Sequence, residues 1–130
     1  MNLNDTIVAQ STPQGKGAIG IIRLSGKNSI KIINSIFPSK DLSKEKSHTI
    51  HFGNIEYEND IIDEVLVSIF KEPKSYTKEN IIEISCHGSN FIIKKILSIT
   101  VKLGARVANK GEFTFRSFLK SEKLQMIDYL

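Results

Sequence analysis

Hydrophobic positions along the chain follow the helical period in two long stretches. Apolar residues three and four positions apart predict amphipathic helices over residues 28–37 and 89–103. Pro38 ends the first helix, and Gly104 stands at the C′ position of the second. A third, shorter helix is expected over residues 113–120. The chain therefore carries helices in its first third and in its second half.

The remaining apolar stretches are short, rich in β-branched residues and typical of strands. They predict strands over residues 6–10, 18–24, 48–57, 61–71, 81–86 and 105–108. The third and fourth form a β-hairpin that turns at Asn59 and Asp60, and a turn-rich segment over 11–17 separates the first two. The order contains the β-α-β-β-α-β pattern, so we predict an α+β fold with a mixed β-sheet packed with helices.

Composition indicates a single water-soluble domain. The chain has 130 residues, of which 40% are hydrophobic and 25% charged. Its apolar runs are interrupted by Asp63 and Glu64, well short of the ~20 residues that cross a membrane. The first ten residues lack the basic and apolar regions of a secretory signal, and Cys86 has no second cysteine to pair with. We therefore expect a cytoplasmic protein.

The net charge of +4 does not by itself indicate a nucleic-acid partner. Fifteen of the 18 basic residues are lysines, and the chain also has 21 isoleucines and 9 asparagines, a combination typical of an AT-rich coding sequence. The lysines are scattered and lack the interleaved aromatic residues of a single-strand binding groove. Compositional drift is therefore favoured over a nucleic-acid partner, and the charge alone does not decide between them.

A weak internal repeat singles out two charged residues. Residues 21–33 can be laid over residues 81–93, each a strand followed by a helix, and this places Arg23 opposite Glu83. Each is the one charged residue of an otherwise apolar strand, where an ionised group is unfavourable without a partner. Either the two residues pair with each other or lie at sheet edges, or they hold a ligand of opposite charge between them.

Several patterns that resemble catalytic motifs fail on inspection. The stretch 20–27 has five rather than four residues between its glycines, and Asn28 follows where a phosphate loop has Ser or Thr. The glycines at 15, 17 and 20 precede a strand, so no helix N-terminus would meet a phosphate. Cys86 and His87 should point to opposite faces of their strand, which argues against a metal site. Cys86 lies in an apolar strand with no base nearby in sequence, so we expect it to be inert. The residues favour a binding domain over a self-contained enzyme.

Three strings then identify a family resemblance. DTIVAQSTPQGKGAIGIIRLSG (5–26), DEVLVSIFKEPKSYTKENIIEISCHGS (63–89) and GARVANKGEFTFRSFLKSEKL (104–124) closely resemble the N-terminal domain of the tRNA-modification GTPases of the MnmE or TrmE family. The strings occur in the family's order and span nearly the whole chain. Lys110 and Ser89 stand where the family usually has Pro and Gly.

The resemblance implies a fold, a ligand and an assembly. It implies a fold similar to the tetrahydrofolate-binding domain of aminomethyltransferases, over residues 1–120, with residues 121–130 as the start of a truncated C-terminal extension. The implied ligand is a reduced folate, 5-formyltetrahydrofolate or 5,10-methylenetetrahydrofolate, and the implied assembly is a homodimer. Matching positions assign folate binding to Arg23, Glu83 and Lys123.

The complete family protein is expected to do more than this segment. By resemblance it hydrolyses GTP with Mg²⁺ and K⁺, and modifies the wobble uridine of tRNA with a flavoprotein partner of the GidA (MnmG) type. This segment has no phosphate loop, so we expect it not to hydrolyse GTP alone. Two alternatives stay open: a folate-dependent aminomethyl-transferase-like domain, and a dimerisation module that no longer binds folate.

Overall fold

The computed structural model has the predicted α+β architecture, and it describes residues 4–11 and 17–128, with side chains up to residue 121. The described strands are β1 (Ile7–Gln10), β2 (Ile19–Ser25), β3 (Thr49–Tyr57), β4 (Asp60–Phe70), β5 (Ile81–His87) and β6 (Arg106–Val107). The helices are α1 (Ser29–Asn34), α2 (Asn90–Lys102) and α3 (Glu112–Asp128), with a 3₁₀ turn over Leu42–Lys44. A mixed sheet with helices is thereby confirmed, whereas the likeness to aminomethyltransferases stays a prediction.

The described strands form one six-stranded sheet in the order β3-β4-β5-β2-β1-β6. Neighbouring strands run antiparallel, except that β1 and β6 are parallel. Alternate side chains, such as Leu24 of β2 and Ile84 of β5, point to one face and are fully buried. The isoleucines of α1 and α2, among them Ile33 and Ile96, pack against that face and complete the core.

The structure corrects several predicted boundaries. The hairpin turns at Glu58 and Asn59, one residue earlier than predicted, and both residues have positive φ angles, as a two-residue hairpin turn requires. α1 ends at Asn34, three residues before Phe37, and α3 extends past Lys120 to Asp128. Most of the turn predicted over 11–17 lies outside the described residues.

The second face of the sheet is open at one end and covered at the other. Arg23 and Glu83 lie on it, and so do Ile19, Phe52 and Leu66, which are 62%, 61% and 44% exposed. Ser25 and Ile81, on the same face, are buried near α3 and the loop before β5. α1 and α2 therefore cover one face, and the open part of the other presents apolar and charged side chains together. Among the described residues, no helix is both long enough and apolar enough to cross a membrane.

A buried cluster of charges attaches α3 to the rest of the fold. Its centre is Arg116, whose side chain is fully buried. The guanidinium donates to the backbone oxygen of Asp5 at 2.6 Å and to Asp5 Oδ1 at 2.5 Å, and it lies 3.3 Å from carboxylate oxygens of Glu79 and Glu112. We call the whole cluster the Arg116 network; its members are Asp5, Glu79, Arg106, Glu112, Arg116 and Lys120.

The Arg116 network makes the fold sensitive to acid. Hydrogen bonds from Arg106 are the main reason that the pKa values of Asp5 and Glu112 lie below their ordinary 3.8 and 4.5. A carboxyl whose pKa is lower in the folded state than in the unfolded state stabilises the fold when the pH is above its unfolded-state pKa. That stability is lost as the pH falls through the folded-state pKa. We expect the thermal midpoint to hold from neutral pH to about pH 5 and to fall below that.

Replacing Arg106 should remove much of this dependence. Arg106→Gln is expected to lower the midpoint at pH 7 and to flatten its decline in acid, because the carboxylates lose the donor that depresses their pKa values. Lys94→Gln, at an exposed position on α2, serves as the charge-matched control and should keep the wild-type profile. Calorimetry between pH 7 and pH 3 makes the comparison, and parallel profiles for Arg106→Gln and the wild type would contradict it.

Gly88, directly after β5, permits a close approach of two backbone segments. A Cβ at this position would lie 1.8 Å from the carbonyl oxygen of Gly17. The Gly88 amide donates to the Ala18 oxygen at 3.0 Å, so the segments cannot separate without losing that bond.

Gly88→Ala should lower the free energy of unfolding by about 1 to 3 kcal/mol or more. Gly17→Ala, whose Cβ would have its nearest contact at 3.6 Å, is the control in urea titrations, and equal midpoints would refute the expectation.

Candidate functional site

Arg23 and Glu83 form an ion pair on the open face of the sheet. They are direct partners in the antiparallel register of β2 and β5. Arg23 Nε donates to Glu83 Oε1 at 2.9 Å, and the Nη2 atom lies 2.7 Å from the same oxygen. Each side chain is 27% exposed. Of the alternatives left open, pairing of the two charges with each other is confirmed, while their role toward a ligand stays a prediction.

A cavity of about 360 Å³ opens beside Arg23. Four described segments form its walls: the end of β1, β2 at Arg23, the loop before β5 at Tyr76, and the turn over residues 108–111 with the start of α3 at Phe113. Glu83 is absent from the lining, because β5 and β1 flank β2 on opposite sides. A ligand in the cavity would therefore meet Arg23 directly and reach Glu83 past it.

The cavity is cationic and aromatic. Arg23 lies over the ring of Phe113, 5.7 Å from its centroid, and Lys110 adds a second positive charge. Among the described residues that line the cavity there is no carboxylate. The lining suits an anionic ligand with a flat ring.

Two chain segments meet at the rim of the cavity. Tyr76 Oη and Thr114 Oγ1 are 3.0 Å apart, which joins the loop between β4 and β5 (residues 71–80) to the start of α3. The family strings over residues 63–89 and 104–124 contain Tyr76 and Phe113, but sequence reasoning missed both as lining residues. A clue lay in the two aromatic side chains within polar strings, but nothing in the sequence showed that the strings meet.

The third predicted site residue cannot be placed in full. Lys123 falls within the backbone of α3, but its side chain lies outside the described residues. The two substitutions relative to the family pattern have clear places. Lys110 lines the cavity, and the side chain of Ser89 accepts a hydrogen bond from the amide of Ile92 at the N-terminus of α2.

Cys86 and His87 point to opposite faces, as predicted. Cys86 is 4% exposed, and its thiol donates weakly to the Gly20 oxygen at 3.5 Å. Burial, with a smaller effect of the Asp63 charge, raises the pKa of Cys86 to about 11. The thiol is therefore protonated near neutral pH and is a poor nucleophile. The exposed His87 ring instead has its Nδ1 atom 2.7 Å from Asp63 Oδ1.

Comparisons with known proteins agree with the sequence strings. The family described as "GTP-binding protein TrmE N-terminus" matches residues 6–122. The tRNA modification GTPase MnmE of Cytophaga hutchinsonii is 57% identical over 118 residues, which cover 91% of this chain and 26% of that protein. Proteins of the same name from Flavobacterium psychrophilum and Streptococcus thermophilus are 51% and 50% identical, over 94% and 88% of this chain and 27% and 25% of theirs.

These relatives are much longer than the chain, which spans about a quarter of their length. The match is nevertheless nearly continuous across the described fold, from the start of β1 into α3. It includes both strands of the Arg23–Glu83 pair and both segments that meet at the cavity rim. The chain therefore belongs to the TrmE N-terminal family, the N-terminal part of the tRNA modification GTPases named MnmE.

Proposed function

We propose that this segment binds a reduced folate at the cavity beside Arg23, as part of a tRNA modification GTPase. The observation that supports it most is the partly exposed Arg23–Glu83 pair next to a cavity of about 360 Å³ that Tyr76 and Phe113 help to line. This volume lies within the range of small-molecule sites. The ligand would be 5-formyltetrahydrofolate or 5,10-methylenetetrahydrofolate.

The chemistry of the pair matches the two ends of a folate. A pterin ring carries an N–H edge and an exocyclic amine, which a carboxylate such as Glu83 accepts as a bidentate partner. The glutamate tail is anionic and needs cations, for which Arg23, Lys110 and Lys123 are candidates. Phe113 and Tyr76 offer flat surfaces to the aromatic parts.

A proposal for the whole protein extends the relatives' name, tRNA modification GTPase, by what the family resemblance implies. We propose that the longer protein hydrolyses GTP, with Mg²⁺ and K⁺, outside this segment, and modifies the wobble uridine of tRNA in the cytoplasm with a GidA-type flavoprotein. The folate would serve as one-carbon donor, and this segment would hold it. The family match favours this role over the aminomethyl-transferase alternative.

Glu83→Gln tests folate binding at this site. The change keeps the shape and one acceptor but removes the charge and the second acceptor. If Glu83 accepts the pterin N–H groups, Glu83→Gln should weaken binding of 5-formyltetrahydrofolate by about 30-fold to a few thousand-fold, or about 2 to 5 kcal/mol. Stability should change by only about 1 kcal/mol or less, because the Arg23–Glu83 pair is partly exposed.

A matched variant separates the ligand role from general electrostatics. Glu64→Gln makes the same substitution at an exposed position on β4 and should leave folate affinity unchanged. Calorimetry gives the affinity, and thermal unfolding gives the stability. Normal folate binding by Glu83→Gln would refute the assignment, and a wild-type chain that binds no folate would favour the dimerisation module.

We further propose that the open sheet face forms a two-fold homodimer interface. The hairpin of β3 and β4 presents Ile50, Phe52 and Leu66 to solvent, and Ile19 of β2 extends the patch. Apolar side chains clustered on one face are characteristic of an interaction surface.

Sedimentation tests the dimer directly. The chain should sediment as a dimer at micromolar concentration, and Phe52→Lys should shift it toward monomer, because a charge would be buried at the interface. Phe91→Lys, at another exposed phenylalanine on α2, should leave the dimer intact. A strictly monomeric wild-type chain at every accessible concentration would overturn the proposal.

A further inference from the structure

The Arg116 network reaches every segment that forms the cavity beside Arg23. Asp5 lies just before β1, and Arg106 belongs to β6, which leads into the turn over 108–111. Glu112 immediately precedes Phe113 at the start of α3, and its Oε1 accepts from the amide of Asn109 in that turn at 2.9 Å. The network therefore contacts both sides of the turn and the beginning of α3.

Glu79 connects the network to the loop that carries Tyr76 and to the strand that carries Arg23. It ends the loop that carries Tyr76, and its Oε1 and Oε2 atoms lie 3.3 Å from Arg116. The hydroxyl of Ser25, two residues after Arg23 on the same strand and face, donates to Glu79 Oε2 at 2.6 Å. One carboxylate thus links the Tyr76 loop, the Arg23 strand and α3.

None of the network's charged side chains lines the cavity. Glu79 and Lys120 border a different, smaller cavity of about 260 Å³, and Arg116 is enclosed completely. These side chains therefore make no direct contact with a ligand beside Arg23, and their effect on its geometry passes through the walls, above all through Tyr76 and Phe113. The hydrogen bond between Tyr76 and Thr114 lies where the two walls meet.

Stability alone does not explain such a cluster. Three carboxylates and two further cations form a network with a fully buried guanidinium, and well-packed apolar residues of similar volume often stabilise a fold as well as a buried ion cluster does. Directional bonds from one guanidinium to three segments do fix their relative positions, which apolar contacts do less well. We infer that Arg116 and Glu79 are positioning residues that set the distance between the Tyr76 and Phe113 walls for the ligand of the Arg23 cavity.

This inference rests on the proposed function for the identity of the ligand, and the test has one arm that needs no ligand. Arg116→Lys keeps the positive charge but loses the planar fork that bridges three carboxylates. Ile96→Val, in the core beneath α2 on the other face of the sheet, provides a destabilised control. Glu79→Gln, which keeps the shape and an acceptor for Ser25, replaces Arg116→Lys if that variant fails to fold.

In the first arm, amide hydrogen exchange is measured on the unliganded chain. Arg116→Lys should raise exchange within residues 74–78 and 109–114 at least about tenfold more than Ile96→Val does. A rise of equal size throughout the sheet, or none in these segments, would overturn the inference.

In the second arm, 5-formyltetrahydrofolate is titrated into each variant. Arg116→Lys should weaken binding about tenfold, similar to the loss of supporting groups at metal sites, and Ile96→Val should not. The effects of Arg116→Lys and Tyr76→Phe should be less than additive, because both act on the same wall. An unchanged affinity in Arg116→Lys, or losses of affinity that add fully in the double variant, would count against the inference. If the wild type binds no folate but exchange still rises within residues 74–78 and 109–114, the folate proposal is refuted and the positioning role is supported.

Discussion

The antiparallel pairing of β2 with β5 is the constraint on which the fold and the site both depend. Its register places Ile22 opposite Ile84 and Leu24 opposite Ile82, so that both strands point their apolar side chains at α1 and α2. The same register puts Arg23 opposite Glu83 on the other face. A slip of one residue would turn these charges toward the core and the isoleucines toward solvent, so the core itself fixes the ion pair's location.

Sequence reasoning could predict the elements of this arrangement because they are local. The apolar stripe of α2, Gly104 after it and the β-branched strands each carry their own signal, and the internal repeat even matched Arg23 with Glu83. The errors fall where local signals are weak. Glu58 adopts a positive φ that its residue type does not favour, and α3 has no stop signal at Lys120.

The cavity could not be predicted in the same way, because its walls come from distant parts of the chain. Tyr76 and Thr114 are 38 residues apart, and no periodic pattern relates them. The family strings identified both segments as distinctive without showing that they touch. Arg116 is a similar case: a charged residue in a helix is ordinarily read as solvent-exposed, and only the gathering of Asp5, Glu79 and Glu112 around it permits complete burial.

The separation in sequence between Asp5 and Arg116 also has a consequence for how the protein is made. The two residues are 111 positions apart, so this contact closes a loop that comprises most of the chain. The hairpin of β3 and β4 needs only neighbouring residues and can form while synthesis continues. The cavity walls can come together only after α3 has been synthesised and has returned to the first strand, so the ligand site depends on the most distant contacts of this fold.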